Sequence, residues 1–166
     1  MKKIILSFAL LLCMCVGAFA QTKVVANGPI GIDWKFKRSF MNGTTLVVDL
    51  AMENNTGKDV RGVVTYSFSS KNGMVKLKAY DDEGNVYPGN AVGENKFSGK
   101  MGSVALNNWE TIPKDNLVKI RLQIADIDEY ATLLKTLIVP VMIMTNGTSG
   151  QENCELKVTN IPIPRE

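Results

Sequence analysis

Histidine is absent from all 166 residues. That removes Ser-His-Asp and Cys-His nucleophilic sites, along with histidine-ligated zinc, copper and non-haem iron. Cysteine is scarce. Of the three, Cys13 and Cys15 lie close to the start, which leaves Cys154 alone in the rest of the chain. A single cysteine makes neither an internal disulfide nor a thiolate metal cluster, and a half-buried strand position suits it. There is no glycine-rich phosphate loop of the P-loop or dinucleotide type; the glycines sit in Asn-Gly and similar turns. Charge of one sign is also lacking. Lys2 and Lys3 account for two of the nineteen basic residues, so positions 21–166 hold 17 Lys and Arg against 16 Asp and Glu. No basic tract remains to attract nucleic acid or anionic lipid. What survives is carboxylate chemistry and binding.

The opening MKKIILSFALLLCMCVGAFA has a basic start, an apolar stretch and Ala18-Phe19-Ala20 as a small-x-small site. This predicts a secretory signal peptide over 1–20, cleaved after Ala20, and hence a secreted or periplasmic protein. The apolar stretch is shorter than the roughly 20 residues of a spanning helix. A lipoprotein signal is less favoured, because bulky Leu12 and Met14 precede Cys13 and Cys15 where a small residue is wanted. Residues 21–166 then form one domain with no transmembrane segment, a size that buries about two-thirds of its unfolded surface.

Two-residue alternation dominates that domain. In IGIDWKFK, Ile30, Ile32, Trp34 and Phe36 oppose Asp33, Lys35 and Lys37. TLVVDLAMEN follows Asn42-Gly43, which predicts a β-hairpin. VVTYSF, MVKLKAY, SVALNNWETI, VKIRLQIADI and ELKVTNI extend the pattern, with Asn72-Gly73 and Asn146-Gly147 as turns and 88–102 as a long loop. DEYATLLKTL breaks it: Tyr130, Leu133, Leu134 and Leu137 fall at helical spacing and predict a short helix near 128–136. About eight short strands with almost no helix indicate an all-β antiparallel β-sandwich, preferred over a closed barrel.

Acidic residues gather in two places. In YDDEGNVY, Asp81, Asp82 and Glu83 are consecutive, whereas a calcium loop sets its oxygens at alternate positions. A hairpin turn is the better reading. In ADIDE, Asp126 and Asp128 would share a face of an extended strand, but Asp128 also suits an N-cap. Should the loops meet, Asp81, Asp82, Asp126 and Asp128 are the candidate calcium ligands; paired carboxylates would equally serve a carbohydrate-active site. Trp34 belongs with the core, and Trp109, in polar LNNWET, is the better ligand-binding candidate. LLKTLIVPVMIM (133–144) is nearly uncharged, and Pro140 points to an edge or a bulge. Val139 and Val141 are therefore candidate partner contacts, through an edge strand over 137–144 or else within a strand buried on both faces. Three Asn-x-Thr sequons, at Asn42, Asn54 and Asn146, fall in expected turns.

The runs LVVDLAMENNTGKDV, LKAYDDEGNVY and IPKDNLVKIRLQI together resemble the small secreted immunoglobulin-like domains common in Bacteroidetes and other bacteria. The resemblance implies an immunoglobulin-like sandwich with an extracytoplasmic adhesion, ligand-binding or assembly role, and it brings no catalytic residue set. The expectation is an exported, non-catalytic binding or scaffolding module for a protein or glycan. It needs no cofactor and does not bind nucleic acid. A calcium-binding or carbohydrate-active domain, or a subunit pairing through 137–144, stands as the alternative.

Overall fold

The computed structural model describes residues 21–90, 94–145 and 150–165. The expected signal peptide, the Asn146-Gly147 turn and the Asn146 sequon lie outside them. The chain forms β1 (Lys23–Asn27), β2 (Ile32–Asn42), β3 (Thr45–Asn54), β4 (Val60–Val64), β5 (Ser67–Ser70), β6 (Gly73–Lys76) and β7 (Lys78–Asp81). There follow β8 (Val86–Pro88), β9 (Phe97–Met101), β10 (Val104–Ala105), β11 (Glu110–Ile112), β12 (Asn116–Ile124), β13 (Leu133–Thr145) and β14 (Gln151–Pro162).

All pairings are antiparallel. One sheet runs β10-β9-β12-β3-β2; a second runs β1-β14-β13-β4-β11, with β7 on β13 and β8 on β7. A single core joins them: Leu46, Val48, Leu50 and Met52 of β3 and Ile120, Leu122 and Ile124 of β12 meet Leu137, Val139, Val141 and Ile143 of β13 and Leu156 and Val158 of β14. The arrangement is consistent with a β-sandwich. Burying each such side chain fully is worth about 1.5–3 kcal/mol.

The β2–β3 hairpin forms where alternation and Asn42-Gly43 place it. Asn42 pairs with Thr45, and only Gly43 in the turn has positive φ, at 61°. Ile30, expected on the inner face, precedes β2 and is 99% exposed. The expected long loop over 88–102 contains β9, and SVALNNWETI divides into β10 and β11.

No helix occurs over 128–136, where the expectation of one is corrected. Residues 128–132 are a turn, and β13 starts at Leu133. The helical spacing has another cause. Leu134 and Leu137 both point into the core because Lys135 is an extra residue opposite β7, where Leu134 pairs with Asp81 but Thr136 with Tyr80. Their partners on β14, Ile161 and Val158, are likewise three apart and buried, and Asn160 between them takes φ 58°. A bulge turns a period of two into an apparent step of three.

The expected edge strand over 137–144 is instead central. It pairs with β14 along its length and, on its other side, with β7 and then β4. Pro140 stands at the changeover between those two, after Ile138 leaves Lys78 and before Val141 joins Val64. Its carbonyl accepts from the Thr65 N–H at 3.0 Å, on the β4 side. The N–H and C=O of one strand residue point the same way, so the donor that proline lacks would have faced this gap. The ladder to β14 loses no bond, and on the other side proline forgoes only the return bond to Thr65, just past the end of β4. Val139 and Val141 are fully buried and offer nothing to a partner.

Candidate functional site

The two acidic loops do converge, but through protein donors. YDDEGNVY is the turn between β7 and β8, with Gly84 at φ 93°. Asp81, 2% exposed, accepts the Asn85 N–H at 2.8 Å, Asn85 Nδ2 at 2.9 Å and the Tyr87 hydroxyl at 2.7 Å. The Tyr87 oxygen in turn accepts the Asp128 N–H at 3.0 Å, and Asn85 Nδ2 reaches Asp128 Oδ2 at 3.2 Å. Asp82 accepts the N–H groups of Thr132 and Leu133 at 3.0 and 3.1 Å and the Thr132 hydroxyl at 2.6 Å. Asp128 does cap, but it caps a turn: its Oδ1 accepts the Tyr130 N–H at 2.8 Å. Asp126 stands apart, exposed and paired with Lys96 at 2.6 Å. Among the described residues no three His, Cys, Asp or Glu are placed to share a metal ion.

Burial alone would raise the Asp81 and Asp82 carboxyls. The donors from Asn85 and Tyr87, and from Thr132 and Leu133, outweigh it and hold both below the ordinary range. Burial, with Asp81 close by, pushes the Tyr87 hydroxyl up to about 12. Oxygens so engaged serve loop closure.

Trp109 lies between β10 and β11, half-buried, with the Arg61 guanidinium 5.6 Å from its ring centre. It is an anchored ring rather than an open stacking platform. Trp34 packs against the core as expected.

Two features escaped the sequence reading. The first is that β5–β6, the hairpin read at Asn72-Gly73, belongs to neither large sheet. Two short strands are marginal alone. This pair is held by buried Phe68 and by Leu77, whose N–H donates to the Tyr66 carbonyl at 2.8 Å. A groove of about 550 Å³ opens between the hairpin and the outer face of the seven-stranded sheet; Phe68, Val75, Ile138, Lys78, Asn153 and Glu155 are among its walls.

The second lies on the outer face of the five-stranded sheet. Asp49, at the middle of β3, is 1% exposed yet faces away from the core. Arg121 on β12 grips it with Nε at 2.7 Å and Nη2 at 2.8 Å, Arg38 on β2 adds Nε at 2.9 Å, and Lys119 adds Nζ at 3.1 Å. Hydrogen bonds from Arg121 and then from Arg38 and Lys119, against burial, hold Asp49 far below the ordinary carboxylate range. Arg38 and Arg121 also lie over the Phe40 ring, at 5.1 and 5.7 Å. Strict alternation would have put Arg38 and Phe40 on the inner face with Phe36. An extra residue, Lys37, intervenes between Phe36↔Leu50 and Arg38↔Asp49 and turns both outward. The visible hint was Asp49 inside an otherwise apolar LVVDLA; the bulge had none. No protein-family model matches the chain, and no curated protein matches it either.

Proposed function

We propose that this chain is an exported, immunoglobulin-like β-sandwich that binds or scaffolds a protein or glycan and does not catalyse. The observation carrying this reading is the groove beneath β5–β6, whose volume of about 550 Å³ falls within the range of ligand sites. Apolar Phe68, Val75 and Ile138 supply contact area, while Lys78, Asn153 and Glu155 supply orientation. The carboxylates that could have run hydrolytic chemistry support the same reading, since Asp81 and Asp82 already accept three protein donors each. Export rests on the opening twenty residues, and strand alternation with the turn motifs supports the immunoglobulin-like assignment.

Titrating isotope-labelled protein with a panel of oligosaccharides and extended peptides tests this. Amide shifts clustered at Phe68, Val75, Ile138 and Asn153, with the ligand recovered unchanged, are expected. Turnover of a sugar substrate that disappears in a still-folded Asp81→Asn protein would overthrow it.

A further inference from the structure

Around Asp49 the charges do not balance. Arg38, Lys119 and Arg121 converge on one carboxylate, and Lys100 on β9 sits directly opposite Arg121 in the register. Like charges in that position weaken a sheet. Lys100 enters no ion pair among the described residues. Three cations thus converge on one buried anion and a fourth lies beyond Arg121, a local surplus of three. Glu110 packs against Gly102 and accepts from Ser103 Oγ at 3.4 Å, and it pairs with none of the four.

The geometry holds that surplus outward. Asp49 takes Nε and Nη2 of Arg121 and only Nε of Arg38, so the remaining guanidinium N–H groups are left for another acceptor. Phe40 beneath both guanidiniums limits their rotation. Lys100, Lys119 and Arg121 line a recess of about 220 Å³ with Gly102, which adds no side chain to its wall. Gly99 lets β9 come close here, since a Cβ there would lie 2.0 Å from the Arg121 carbonyl oxygen. Further along the same face the sign reverses. Past the Lys35–Ala51 pair come Asp33 and Glu53, Glu53 bound to Lys35 at 2.5 Å and Asp33 accepting Asn55 Nδ2 at 2.8 Å. Four residues separate Asp49 from Glu53 on β3, roughly 13 Å.

We propose that this face docks a short acidic segment of a partner protein, with its carboxylates seated against Lys100, Lys119 and Arg121. Arginine forks match carboxylates in a bidentate manner. A uniformly charged polymer, such as a sulfated glycan or an anionic membrane, would gain at one end of the face and be repelled by Asp33 and Glu53 at the other. The rings that a sugar might stack on, Phe40 and Trp109, are each covered by arginine.

This inference rests on the binding-module reading, and its test is separable from the groove. A fluorescein-labelled peptide with two adjacent glutamates in Gly-Ser flanks, short enough to stay clear of Asp33 and Glu53, is titrated with the full chain, with anisotropy as readout. Saturable binding that weakens as salt rises is expected, with loss of at least about tenfold in Lys100→Glu. That variant should melt no lower than the parent, because Lys100 is exposed and the reversal removes the like-charge pair. Unchanged binding in Lys100→Glu, no peptide binding by the parent, or tighter binding of heparin at equal charge overturns the proposal. Ligand shifts confined to Phe68 and Ile138 would leave the groove reading standing without it.

Discussion

Asp49 and Asp81 are both almost fully buried aspartates, and they illustrate two ways of keeping a carboxylate out of water. Asp49 is held by three cations whose stems lie on the sheet surface; Asp81 is held by an amide, a phenol and a backbone N–H. Neutral donors satisfy the acid and leave nothing over. Charged donors satisfy it and leave positive charge facing solvent. The first device closes a loop, and the second creates a surface with something to attract.

Acid is the broadest way to break both devices at once. Asp49, Asp81 and Asp82 are each held below their ordinary carboxyl range. A lowered folded-state value adds stability that is present above the unfolded value, about 3.9, and lost as pH falls through the folded value. Melting temperature should hold to about pH 5 and drop steeply below about pH 4. Alkali separates the two regions. Tyr87 and Cys154 are both raised to about 12 by burial, so their stabilisation is present below about pH 9 and fades as pH rises toward 12. The loop knot and β14 should loosen there, while Asp49 stays ionised and Arg121, raised further by its hydrogen bonds to Asp49, stays charged. Hydrogen exchange resolved by segment checks that order.

Asp49→Ala should cost about 3 kcal/mol, because removing one partner leaves three cations crowded without their anion. Urea denaturation measures it, and a loss well under 1 kcal/mol would mean that the cluster is ordinary surface charge. Tyr87→Phe should cost less, about 2 kcal/mol, since the Asp81 carboxylate loses a donor and the Asp128 N–H an acceptor. Its distinguishing mark is location. Exchange should quicken over 81–87 and 128–133 and stay unchanged at Asp49.

Much of the fold could be read from residue order. The β2–β3 hairpin, the clean alternation of β12, the turn at YDDEGNVY and the burial of Cys154 in a strand all follow from period-two patterning and turn chemistry. Two of the failures share one cause. Lys37 and Lys135 are bulge residues, and a bulge reverses which face every later side chain takes. One bulge imitated a helix at Leu134 and Leu137; the other concealed Arg38 and Phe40 from the face they occupy. Pro140 misled for a related reason, because its tolerance depends on a gap between two neighbouring strands.

The sequence alone therefore determined that strands prevail, that histidine and thiolate chemistry are absent, and where most chain reversals fall, since these depend on residues next to one another. Tertiary structure decided that β13 is central, that the two acidic loops meet, and that three cations gather on Asp49. Those outcomes depend on register between strands far apart in the chain; Arg121 and Asp49 are 72 positions apart. Local pattern carries no record of that distance.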